Sequence, residues 1–156
     1  MQIDPMLAQL SAAKTYFTRS IDCLTEEDSS FAPAEGMMTV AQHVAHVAIT
    51  LDWFLEGAFR PEGFNMDFES VDAPLAGVTS LTAAREHLER SFAAVEQAIN
   101  THSAEEWAKP LPEGPVMGGE PRFAIFGGIT DHTAHHRGAL TVYSRQCGHV
   151  PAMPYM

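Results

Sequence analysis

Basic residues are scarce in this chain: nine Lys and Arg stand against twenty Asp and Glu, a formal charge of −11 over 156 residues. A nucleic-acid binder needs basic surface to neutralise phosphates, and adhesion to anionic lipid needs the same, so neither class of partner is expected. Cysteine is as sparse. Cys23 and Cys147 form no spaced pair, which excludes a disulfide framework and a cysteine-rich zinc site and fits buried, free thiols in a reducing cytosol. No run approaches the roughly 20 apolar residues of a membrane span, and residues 1–5 lack the charged and apolar regions of a signal peptide. Glycine-rich phosphate loops, a GxSxG elbow and an HExxH helix are missing too. The expectation is a cytoplasmic protein acting on a small molecule, with no membrane or nucleic-acid partner.

What is present is enough apolar residue for a real core. Hydrophobic residues are 46% and charged residues 19% of the chain, and the length matches one domain, 1–156, at about 150 residues per domain. Four segments carry apolar residues at three- and four-residue steps. The first runs from Asp4, a candidate N-cap followed by Pro5, to Leu24. The second runs from its cap Thr39 to Phe59, the third from Thr79 or Ser80 to Asn100, and the fourth from Phe123 to Gln146 before Gly148. Helices of this length, without the alternation of strands, predict an all-α fold, an antiparallel four-helix bundle. The connections 25–38, 61–78 and 108–122 are long for a bundle. Ser103–Trp107 reads as one helical turn with a capping box from Ser103 to Glu106.

Histidine is the residue in excess. Of eight, five fall in two groups: His43 and His46 on the second helix, and His132, His135 and His136 on the fourth. His132 and His136 are four apart, about 40° around the helix axis and one turn along it, so two imidazoles can reach one ion. They continue the inward seam of Phe126, Ile129, Leu140 and Tyr143, where an imidazole is costly unless its nitrogens are paired or ligated. His135 falls on a neighbouring face with Gly128, Asp131 and Gly138. The second helix is apolar nearly all round, so either His43 or His46 can supply a third ligand across the core. Three imidazoles with an open fourth position describe a catalytic metal site more than a closed structural one. The plainer reading is that the histidines are only hydrogen-bonded.

The segment His132-x-x-x-His136-Arg137-Gly138, with Tyr143 beyond it and a proline-rich tail, resembles the DinB superfamily of metal-binding bundles. So does Val44-Ala45-His46-Val47-Ala48, with Trp53 and Phe54 seven and eight residues on. The resemblance implies metal ligands at His46, His132 and His136, around a divalent ion such as zinc or nickel with one open position. It further implies a metal-dependent hydrolase, or a transferase that uses a low-molecular-weight thiol, and a possible homodimer. Where the family usually has glutamine after the Arg-Gly pair, this chain has Ala139. The alternative is a non-catalytic metal-binding or stress-response module.

Three other residues are weak catalytic candidates. Asp52 could act as a carboxylate supporting a ligand or as a general base, or be a solvated charge. Arg137 could fork onto an anionic substrate group, or make a structural salt bridge to Asp131 or Glu120. Tyr143, seven residues past His136, could donate to an oxyanion or simply pack in the core. Met37 and Met38 are expected to fill gaps, and His87 and His102 to be exposed. Gly128 and Gly138, placed on one face, would allow close approach of a second helix.

Overall fold

The computed structural model of this chain describes residues 3–156; Met1 and Gln2, which enter the reading of the N-terminal segment, lie outside them. Six helices follow in order: α1 Ile3–Ile21, α2 Val40–Phe59, the short α3 Phe68–Asp72, α4 Leu81–Thr101, the short α5 Ala104–Ala108 and α6 Ile125–Gln146. Among the described residues there is no strand, only an isolated bridge between Pro110 and Pro121 that closes the proline-rich loop. Among the described residues, no helix is long and apolar enough to cross a membrane.

The caps explain where most helices start. The Thr39 hydroxyl accepts from Gln42 N at 3.2 Å while Gln42 Oε1 accepts from Thr39 N at 2.9 Å, satisfying two amides that a helix start leaves free. Ser103 caps α5 in the same manner with Glu106, and the Ser80 hydroxyl caps α4 by accepting from Ala83 N. Three expected ends are corrected. Asp4 lies inside the first turn of α1 rather than capping it, and α1 stops at Ile21, three residues before Leu24. The start expected at Phe123 is a 3₁₀ turn, Arg122–Ala124, that leads into α6. At the far end Gly148 takes φ +86°, and its amide and that of His149 bond back to Arg145 and Ser144, closing the helix as a left-handed glycine does.

Side-chain contacts give the direction of each helix. Gln9 meets Phe126 and Thr130 while Tyr16 lies beside Arg137, so α1 and α6 run parallel. Asp52 pairs with His87 and Phe59 stacks on His102, so α2 and α4 also run parallel. The antiparallel neighbours are α1 with α4, through Lys14–Glu89 and Arg85–Ile21, and α2 with α6, through His43–Tyr143 and Thr50–His132. Successive parallel helices need a connection as long as the bundle. A 20-residue helix spans about 30 Å, which explains the length of the segment between α2 and α4. That segment climbs back along α2: the Asn65 carbonyl accepts from Trp53 Nε1 at 2.7 Å, Asp72 stands by His46, and the Leu75 carbonyl accepts from Gln42 Nε2 at 3.1 Å.

Phe17, Phe92, Phe126 and Trp107 are among the fully buried side chains that fill the core. Gly128 belongs to this packing. A Cβ there would meet Phe54 Cζ at 2.5 Å and Cε1 at 2.8 Å, whereas a Cβ on Gly138 would meet nothing within 4 Å. The pairing of these two glycines as one open face is therefore corrected: Gly128 is taken up by α2 within the chain. Gly138→Ala is expected to stabilise the protein by about 1 kcal/mol through helix propensity. Gly128→Ala is expected to destabilise it, because overpacking costs about 1–3 kcal/mol. Urea midpoints of the two variants check the opposite signs.

Candidate metal centre

The antiparallel seam of α2 and α6 brings four imidazoles together. His46 Nε2 lies 3.2 Å from His132 Nε2, and His136 Nε2 lies 3.1 Å from the same atom. One ligand-type atom from each of His46, His132 and His136 lies within 4.8 Å of the others. A tetrahedral ion at about 2.0–2.1 Å from each nitrogen would place neighbouring ligand nitrogens about 3.3 Å apart. The donor set therefore fits a divalent cation in spacing as well as in chemistry.

Beyond these three nitrogens the surroundings differ. His43 Nδ1 is 2.9 Å from His136 Nδ1, the ring nitrogen away from the cluster, and His43 Nε2 is 3.2 Å from the Tyr143 hydroxyl. That hydroxyl donates to the Met38 carbonyl at 3.3 Å. The Asp72 carboxylate stands 3.3 Å from His46 Nδ1 but without hydrogen-bonding geometry, so this buried nitrogen has a charge beside it and no bond. Thr50 Oγ1 lies 3.4 Å from His132 Nε2, the polar group beside the converging nitrogens.

Burial disfavours the charged form of three of these rings, His43, His132 and His136. It pushes His43 down to about 4, with the neighbouring His46 and His135 adding to the shift. His132 is also pushed to about 4 by burial and then by His46 and His135, against the opposing pull of Asp131. His136 falls to about 3 by burial, then by repulsion from His132, His46, His43 and His135. A neutral imidazole is the form that offers a lone pair to a metal.

The other candidates sort differently. Tyr143 is buried and belongs to the chain of contacts just described, with both packing and polar roles. Asp52 is engaged by another helix: its carboxylate pairs with His87 Nε2 at 2.8 Å. His87 is accordingly half-buried rather than exposed, and so is His102, which stacks on Phe59. Arg137 binds neither Asp131 nor Glu120; its guanidinium donates to the Tyr155 hydroxyl at 3.1 Å and lies over the rings of Tyr16 and Tyr155. Met37 is exposed rather than filling a gap, and both cysteines are only partly buried. His135 is exposed, as its helical face requires. The sequence reading missed Thr50 and Asp72. Thr50 was open to it, being four residues past His46 on the same helix face. Asp72 was not, because it comes from a connection without periodicity.

An all-helical bundle with a buried histidine cluster between two antiparallel helices defines a class of protein, and the comparisons place the chain within it. The DinB superfamily model matches residues 9–140, and the chain belongs to that superfamily. None of the curated proteins matches it in sequence. Two solved structures share the fold. A DinB-like protein from Bacillus cereus superposes with a TM-score of 0.74 at 20% identity, covering 96% of this chain and 95% of its own. YfiT from Bacillus subtilis, described as a probable metal-dependent hydrolase with an unusual four-helix bundle topology, superposes with a TM-score of 0.70 at 15% identity, covering 95% and 89%.

The lowered histidines couple stability to pH. The unfolded chain takes up protons below about pH 6.5, while the folded rings stay neutral down to about 4 and 3. The unfolded state thus binds more protons in that window, so this contribution to stability is complete above about 6.5 and is lost as pH falls through it. Chelator-treated protein is expected to lose urea resistance from pH 6.5 to about 4, and His136→Gln to lose it less steeply. Equal slopes for the two proteins would contradict the assignment.

Proposed function

We propose that this chain is a divalent-metal-dependent enzyme with His46, His132 and His136 as ligands, acting as a hydrolase or a thiol-dependent transferase on a small molecule. The observation that carries the reading is the convergence of three Nε2 atoms, two of the pairs 3.1 and 3.2 Å apart. A divalent ion such as zinc or nickel supplies Lewis acidity when bound, making water or a low-molecular-weight thiol nucleophilic near neutral pH. The chain itself disfavours the charged forms of His132 and His136 by burial. It also places the Thr50 hydroxyl where it can hydrogen-bond a ligand, 3.4 Å from His132 Nε2. Hydrolysis is put first because a structure of the same fold is described as a probable metal-dependent hydrolase.

A second reading, a non-catalytic metal-binding module, draws support from the engagement of Asp52 by His87, which withdraws the carboxylate candidate for a general base. Elemental analysis of protein never exposed to nickel resin separates these readings, since affinity order alone loads nickel readily. Wild type is expected to hold about one ion per chain, and His132→Ala and His136→Ala to hold none. Zinc at 100 times Kd should add about 2.7 kcal/mol to wild-type stability only. Turnover of hydrolase or thiol-transfer substrates, abolished in both variants, supports the enzyme. Stoichiometric metal without turnover across both screens supports the binding module.

A further inference from the structure

The buried contacts beside His136 form a chain whose direction can be worked out from one end. The Met38 carbonyl can only accept, so the Tyr143 hydroxyl, 3.3 Å away, donates to it. That hydroxyl then faces His43 Nε2 at 3.2 Å with its lone pairs, and the ring nitrogen must carry the proton. A neutral His43 protonated on Nε2 is bare on Nδ1. His43 Nδ1 in turn lies 2.9 Å from His136 Nδ1, and two bare nitrogens at that distance would repel, so the His136 nitrogen carries the proton. His136 is thereby left with a lone pair on Nε2, the atom 3.1 Å from His132 Nε2.

We infer that His43 and Tyr143 are positioning residues: a one-way hydrogen-bond relay, anchored on the Met38 carbonyl, that locks His136 in its Nδ1–H form and aims its Nε2 lone pair into the three-histidine cluster. The inference rests on the proposed metal reading for its purpose, though not for its geometry. Both partners are built into the core, with His43 6% and Tyr143 3% exposed. Ring orientation supports the relay as well. The His43 and Tyr143 rings meet edge-on with centroids 5.0 Å apart, and His43 and His136 are tilted at 5.1 Å. Ligating histidines ordinarily hand their second N–H to a carboxylate or carbonyl; here a neutral imidazole takes that place. An imidazole acceptor adds no charge to the buried site, unlike the carboxylate beside His46.

The test begins with metal-free wild type, in which long-range proton–nitrogen NMR correlations assign the tautomer of each ring near pH 7.5. Expected is His136 protonated on Nδ1 and His43 protonated on Nε2. The opposite tautomer of His136, or an even mixture, overturns the relay without reference to any metal. The second arm measures zinc affinity by competition with a chelating dye. His43→Leu, which removes the acceptor, should weaken zinc binding by about 10–100-fold. His43→Gln, whose carbonyl can still accept from His136, should recover most of it. Tyr143→Phe, which leaves the packing nearly intact, should loosen the tautomer preference of His43 in the same spectra. Unchanged affinity in a folded His43→Leu protein overturns the proposed role. If wild type shows the expected tautomers but binds no zinc, the relay stands and the metal reading fails.

Discussion

Desolvated imidazole on the α2–α6 seam is the constraint around which this molecule is arranged. An imidazole taken out of water is costly unless its nitrogens are paired, and four rings, three of them with the charged form disfavoured by burial, meet within one stretch of antiparallel packing. Antiparallel direction matters because it sets His43 opposite Tyr143 and His136, His46 opposite His136 and His132, and Thr50 opposite His132. Parallel packing of the same two helices would reverse one of these orders and scatter the rings along the bundle. Val47 and Leu51 of α2 and Ile129 and Leu140 of α6 are themselves buried, so the two helices meet in a dry seam.

The connection between α2 and α4 serves this seam as well as the topology. Because the two helices it joins run parallel, it must travel the length of the bundle, and it does so along α2. Its Asn65 and Leu75 carbonyls accept hydrogen bonds from Trp53 and Gln42, which fix it at both ends. Between those anchors it sets Asp72 beside His46. Gln42 thus caps α2 through Thr39 and ties down the crossover at once, one turn before His46. Two of the converging histidines then have different neighbours: a carboxylate for His46 and a neutral imidazole for His136. The first raises local negative charge, and the second sets direction without charge.

The four long helices were readable from spacing, and so was the all-α class, because three- and four-residue apolar steps and oxygen-bearing caps act locally. Boundaries moved where local signals conflicted: Pro5 and Asp4 can sit anywhere in a first turn, and a 3₁₀ turn resembles a helix start in sequence. The placement of His132 and His136 on one inward face followed from their separation of four residues. The partners of Asp52 and Arg137 were not legible, because a charged residue near a histidine motif gives no sign of which way it faces. Asp52 turns to α4 and Arg137 to the C-terminal tail, contacts 35 and 18 residues distant in the chain.

Helical periodicity by itself determined which residues face inward, and with them the gathering of histidines on two inner faces. It did so because burial of apolar area repeats with the 3.6-residue turn. Which helices are neighbours, and in which direction they run, was decided by packing over the whole chain. Only that packing set His43 behind His136 rather than into the cluster, drew Asp72 from an aperiodic loop, and ended a proton-ordered chain on the Met38 carbonyl. Hydrogen-bond direction depends on what stands at the far end of each contact, and for these rings the far end lies about a hundred residues away.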